Sequence, residues 1–231
     1  MKEEVLSELQ KYVDVKKRDF YPQFFQSQEG GYGEGDRFLG VTVPNCRKVA
    51  KKFKDLAIED IEKVLHSPWH EMRLTALLIL VSQFEVAEPK KQEEIYEFYL
   101  EHMHFINNWD LVDTVSYKIM GEYVQTHPEK ILYKFAQSKD IWEKRTAMVA
   151  TLAYIKRGSL KETYKVAEIL LHDSHDLIQK AVGWMLKEAG EVDRAKLIKF
   201  LDKKAPSMPK TMLRAAVEKL PEKQRKNYLS Q

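Results

Sequence analysis

One kind of segment returns along this chain, and it limits the possible folds more than any other feature. His66 to Ala76, Gln137 to Ala147, His172 to Val182 and Pro206 to Ala216 each read as a polar, helix-starting loop followed by a basic residue and then small or apolar residues. The basic positions are Arg73, Arg145, Lys180 and Arg214, separated by about 72, 35 and 34 residues, so one unit is roughly 34–40 residues long. The member missing near 109 falls on Asn107-Asn108-Trp109-Asp110-Leu111-Val112-Asp113. Apolar residues recur at helical spacing from Val43 onward, and alternation of the strand type is rare. With 9 Gly and 8 Pro in 231 residues, the chain has few of the turns that a β-sandwich or barrel needs.

A period of this length with two helices per unit predicts an α-solenoid. Tetratricopeptide and ankyrin signatures are missing from the sequence, and a HEAT-like helix pair fits best. Small residues at Ala76, Ala147, Ala181 and Ala215 let neighbouring helices approach closely. The expectation is therefore all-α, with about six HEAT-like repeats and a concave face lined by one helix from each unit. It is a single domain over 1–231, with a helical cap and loop at 1–40 and repeats at 41–231. The recurring Arg and Lys positions have two readings, a basic stripe along that face or salt bridges tying adjacent repeats.

The N-terminal part differs in character. Lys16 to Phe25 is aromatic and basic, and Gln26 to Phe38, rich in Gly and charge, reads as a mobile loop. Pro44 suits the first turn of the helix that follows, where a missing N–H costs nothing. Two long buried helices are expected, over Arg73–Phe84 and Arg145–Ile155.

Net charge is +3, too small to argue for or against a nucleic-acid partner. One cysteine, Cys46, allows no intramolecular disulfide, and a reducing, cytoplasmic setting is expected. No apolar run approaches the length of a membrane span. Met1-Lys2-Glu3-Glu4-Val5 reads as the start of an amphipathic helix and lacks the apolar core of a signal peptide. The seven histidines are read as ordinary loop or surface residues, with no metal site. His66 and His70 have helical ligand spacing, but Ser67 stands where a glutamate would be needed. Gly30-Gly31-Tyr32-Gly33 lacks the partners of a phosphate loop, so no nucleotide cofactor is expected.

The stretch from Asn107 to Asp113 is the most unusual. Trp109 and Asp113 stand four apart and share a helix face, while Leu111, Val112 and Val115 supply core. A carboxylate beside a Trp is costly as unpaired core and makes sense on a surface that meets a cation. The plainer alternative has Asp110 helping to cap the helix and Asp113 pairing with a neighbouring Arg such as Arg145.

Three separated blocks resemble the AlkD-like family of DNA alkylation repair enzymes, which are HEAT-like glycosylases. They are Asn107 to Asp113, Glu143-Lys144-Arg145-Thr146-Ala147, and Gln179 to Leu186. Pro209 to Glu218 is a weaker fourth, and together they cover the chain from about Gly40 onward. The resemblance implies a catalytic carboxylate at Asp113, aromatic walls at Trp109 and Trp184, and a basic residue beside them at Arg145. It implies excision of N3- or N7-alkylated purines from double-stranded DNA without a cofactor, by a chain expected to be monomeric. Lys156, Arg157, Lys180, Lys187, Lys210 and Arg214 are the candidates for phosphate contact. The alternatives are a HEAT-repeat protein scaffold and a module that binds unusual DNA structures without catalysis.

Overall fold

The structure, a computed structural model, describes residues 1–127 and 130–230. Among the described residues there is no strand, and the one isolated bridge joins Arg37 to Trp69. This is the helical-repeat fold of the α-solenoid class that the sequence periodicity predicts. The chain divides into two compact units, Met1–Val115 and Ser116–Gln231.

The first unit holds α1 (Lys2–Gln10), α2 (Val15–Phe24), α3 (Val43–Lys52), α4 (Ile58–Leu65), α5 (His70–Phe84), α6 (Pro89–Glu101) and α7 (Trp109–Val115). Local chemistry sets several of the starts. Asp14 caps α2 by accepting from Lys17 N–H, and Pro44 and Pro89 occupy first turns, where no helical N–H bond is lost. The central element is α5, packed by α1, α3, α4, α6 and α7. It is buried nearly all round, including Leu74, Leu77, Ile79 and Leu80. Each such side chain taken from water contributes about 1.5–3 kcal/mol.

The second unit holds α8 (Met120–Tyr123), α9 (Lys130–Ala136), α10 (Ile141–Ala150), α11 (Leu152–Lys156), α12 (Lys161–Ile169), α13 (Asp176–Val192), α14 (Arg194–Lys204), α15 (Lys210–Ala216) and α16 (Glu222–Leu229). Asp140 caps α10 through Trp142 and Glu143 N–H, and Asp193 caps α14 through Lys196 N–H. The central helix here is α13, against which α10, α11, α12, α14 and α15 pack. Its contact with α15 is close because Gly183 has no side chain. A Cβ there would stand 2.5 Å from the Cβ of Ala215.

Two expectations need correction. The helix expected over Arg145–Ile155 is two helices, α10 and α11, broken at Thr151. Both the hydroxyl and the N–H of Thr151 turn back to the Met148 carbonyl, which tightens the chain there. The segment read as a mobile loop, Gln26 to Phe38, is tied into the first unit instead. Phe25, Asp36 and Phe38 are buried, and Asp36 anchors the polar cluster described next. Its wealth of Gly and charge reflects a tight path around that anchor.

Candidate active site

Helix α7 begins after Asn108, whose carbonyl accepts the Val112 N–H. The Asn108 side chain is fully buried. Its Oδ1 accepts from Trp109 N–H at 2.9 Å and its Nδ2 donates to the Phe25 carbonyl at 3.4 Å. Gly33 makes room for it, since a Cβ there would stand 2.7 Å from that nitrogen. Leu111, Val112 and Val115 face the core, while Trp109 and Asp113 are half-buried on another face, as their spacing predicts.

Beneath α7 lies a buried charged cluster. His70, at the start of α5, is 2% exposed. Its Nδ1 lies 3.0 Å from Asp36 Oδ2 and its Nε2 lies 2.8 Å from Asp110 Oδ2. A carboxylate on each side asks both ring nitrogens to donate, which only the imidazolium can do. Burial pulls the His70 pKa down, but the two aspartates outweigh it and raise it to about 9. Arg73 Nη2 donates to Asp36 Oδ1 at 2.6 Å and to Asn107 Oδ1 at 3.1 Å. Asn107 Nδ2 completes the ring by donating to Asp36 at 3.0 Å. Burial pushes the Asp36 carboxyl up, and His70, Arg73 and Asn107 more than reverse this and hold it below its ordinary value. Two cations face two anions, so the cluster is neutral as a whole.

These contacts correct one reading of the sequence and, for Arg73, favour the ion-pair alternative over the basic stripe. His70 is not an ordinary loop or surface histidine; it is the centre of a buried ion triad. Arg73, one of the recurring basic residues, is spent inside the first unit on Asp36. Asp110 does help the start of α7, with Oδ1 accepting from Leu111 N–H at 2.8 Å, but its other oxygen belongs to His70.

Trp109 is held from the side by aromatic residues. Phe25 stacks on it at 5.4 Å between ring centroids, and Phe24 meets it edge-on at 5.7 Å. Phe25 also stacks on Phe38, and both rings lie against His70. The aromatic run of α2 therefore sets the position of Trp109. The run is plain in the sequence, but its packing against Trp109 is set by the fold.

The other expected residues belong to the second unit. Arg145, on α10, is buried, and its Nη1 donates to the Leu177 carbonyl at 2.6 Å. Trp184, on α13, is half-buried and donates from Nε1 to Glu188 at 3.0 Å.

A sequence profile of the DNA alkylation repair enzymes matches residues 5–220. The chain belongs to the DNA alkylation repair enzyme family. Of solved structures, one described as a predicted DNA alkylation repair enzyme from Enterococcus faecalis has a similar fold, with a TM-score of 0.70. The likeness covers 91% of this chain and 97% of that one at 15% identity, which shows the shared fold alone. No curated protein is significantly similar in sequence.

The basic residues of this DNA alkylation repair family member sort by exposure and pairing. Lys180 is paired with Asp176 at 2.6 Å and Lys187 with Glu218 at 3.1 Å, while Arg157 pairs with Glu122. Lys156 lies over the Tyr117 ring at 4.2 Å. Lys210 and Arg214, both on α15, are exposed and make no ion pair among the described residues. No helix of the described residues is long and apolar enough to cross a membrane.

Proposed function

We propose that the protein is a DNA glycosylase that releases cationic N3- or N7-alkylated purines from duplex DNA. Membership of the family supplies the context. The observation that carries the reading is the make-up of α7. Trp109 and Asp113, four residues apart, share one half-buried face of that helix, and Asp110 between them is held by His70.

Alkylation at N3 or N7 places a positive charge on the purine. When the C1′–N bond breaks, the base takes the electron pair and departs neutral, so no acid is needed to protonate it. One carboxylate then suffices where most sugar-cleaving enzymes use two. Positive charge builds on the deoxyribose, and Asp113 stabilises it as a fixed anion. Water adds to C1′ and gives up a proton. An aromatic face such as that of Trp109 attracts a cationic base or sugar by about 0.5–2 kcal/mol. The family resemblance assigns Trp184 the same kind of contact and Arg145 a basic role beside the lesion. Phosphates are taken by exposed cations, with Lys210 and Arg214 the least committed elsewhere and Lys156, Arg157, Lys180 and Lys187 as further candidates.

The test is release of free base from methylated duplex DNA. Appearance of 7-methylguanine or 3-methyladenine supports the reading. Duplex binding without release points to a non-catalytic DNA-binding module, and neither binding nor release points to a protein scaffold.

A further inference from the structure

Away from α7, the first unit brings two histidines and a glutamate to one place. Glu62 lies in the last turn of α4 and His66 caps that helix, four residues on, so the two share a face. His102 caps α6. Oε1 of Glu62 lies 3.5 Å from Nε2 of His102 and 3.9 Å from Nε2 of His66. The three donor atoms all fall within 4.8 Å of one another, beside an open cavity of about 320 Å³. Spacing in the sequence pairs His66 with His70 and His102 with His104. The fold pairs His66 with His102 instead.

The tautomer of His102 gives this arrangement its meaning. Its Nδ1 lies 2.8 Å from the Phe98 carbonyl, which can only accept, so Nδ1 carries the proton. In the neutral ring Nε2 then has a bare lone pair, and that lone pair faces Glu62 Oε1, a second acceptor. Two acceptors so placed call for a proton or a cation between them. Histidines that bind metal commonly donate their other N–H to a carbonyl in this way. His66 is the exposed member.

We propose that Glu62, His66 and His102 bind a Zn²⁺ ion that clips the end of α4 to the end of α6, with water in the remaining positions. Two imidazoles and one carboxylate suit zinc, whereas magnesium and calcium prefer oxygen donors throughout. Zinc bonds of about 2.0–2.2 Å place ligand atoms roughly 3.3–3.5 Å apart. Glu62 and His102 already have that spacing, and the exposed His66 side chain closes its gap by a small rotation. The site takes no part in base release and stands or falls independently of that reading.

The experiment is a calorimetric titration of the full, chelator-treated chain with Zn²⁺, comparing wild type, His66→Ala and Glu62→Gln, with Tm measured alongside. The proposal expects one Zn²⁺ per chain, a Tm that rises with Zn²⁺, and binding weakened at least tenfold in both variants. The metal-free Tm of His66→Ala should match wild type, since that side chain is exposed, so loss of binding cannot be put down to unfolding. No saturable binding in wild type, or weakening of less than tenfold in both variants, would overturn it.

Discussion

The imidazole of His70 stands 2.8 Å from the Asp110 carboxylate, and its other nitrogen stands 3.0 Å from Asp36. That contact joins the start of α5 to the first turn of α7, the helix that carries Trp109 and Asp113. It also makes the unit sensitive to alkaline pH. The His70 pKa is raised to about 9 in the folded state, against an ordinary value of about 6.5. The stability this supplies is complete below about pH 6.5 and is lost as pH rises through about 9. Urea unfolding at about pH 7 and about pH 10 should show a fall on the order of 2–4 kcal/mol in wild type. His70→Asn should be less stable at pH 7 by about 3–5 kcal/mol, because buried Asp110 loses its cationic partner and Asp36 one of its two, and should show a much flatter alkaline fall. An equal fall in both proteins would mean that His70 is not the group responsible.

A second carboxylate organises backbone. Glu71, buried on α5, accepts from the N–H groups of Leu39, Gly40 and Val41 at 2.9, 2.8 and 3.0 Å. Glu71→Gln keeps the shape but gives up the charge and turns one acceptor into a donor facing N–H groups. A loss of about 2–4 kcal/mol in denaturant unfolding is expected. A change below about 0.5 kcal/mol would show that the carboxylate is dispensable there.

The α13–α15 contact gives a steric prediction. At Gly183 a Cβ would lie 2.5 Å from Ala215 Cβ and 2.6 Å from the Met212 carbonyl. Gly183→Ala should destabilise the second unit by about 1–3 kcal/mol despite the better helix propensity of alanine. Thermal unfolding reads this directly, and a Tm at or above wild type would contradict the packing described.

Among the basic residues, pairing predicts a ranking. Lys210→Ala and Arg214→Ala should each weaken duplex binding evenly across sequences and reduce the salt slope by about 1. Lys180→Ala should do less, because Lys180 is paired with Asp176. Titrations at several salt concentrations would distinguish the three, and equal slopes in all of them would remove α15 from the DNA contact.

Much of this was legible in the sequence, for reasons that differ by residue. The repeat of basic and small residues gave the helical class because helix pairs must bury one stripe each. The spacing of Trp109 and Asp113 gave their shared face because a helix turns once in 3.6 residues. His70 was not legible. Its partners Asp36 and Asp110 are distant in the chain, and nothing local distinguishes a triad histidine from one on the surface. Asp36 was hidden for the same reason, inside a stretch whose Gly and charge suggest freedom. The roles of Phe24 and Phe25 against Trp109 depend on α2 folding back onto α7, which no short-range pattern encodes.

The central claim is that Asp113 stabilises charge in the transition state, and single-turnover release of 7-methylguanine from methylated duplex by wild type and Asp113→Asn tests it most directly. The account predicts a fall of about 10²–10³-fold in the rate of release, with duplex affinity and Tm close to wild type. Release by Asp113→Asn at the wild-type rate would contradict it.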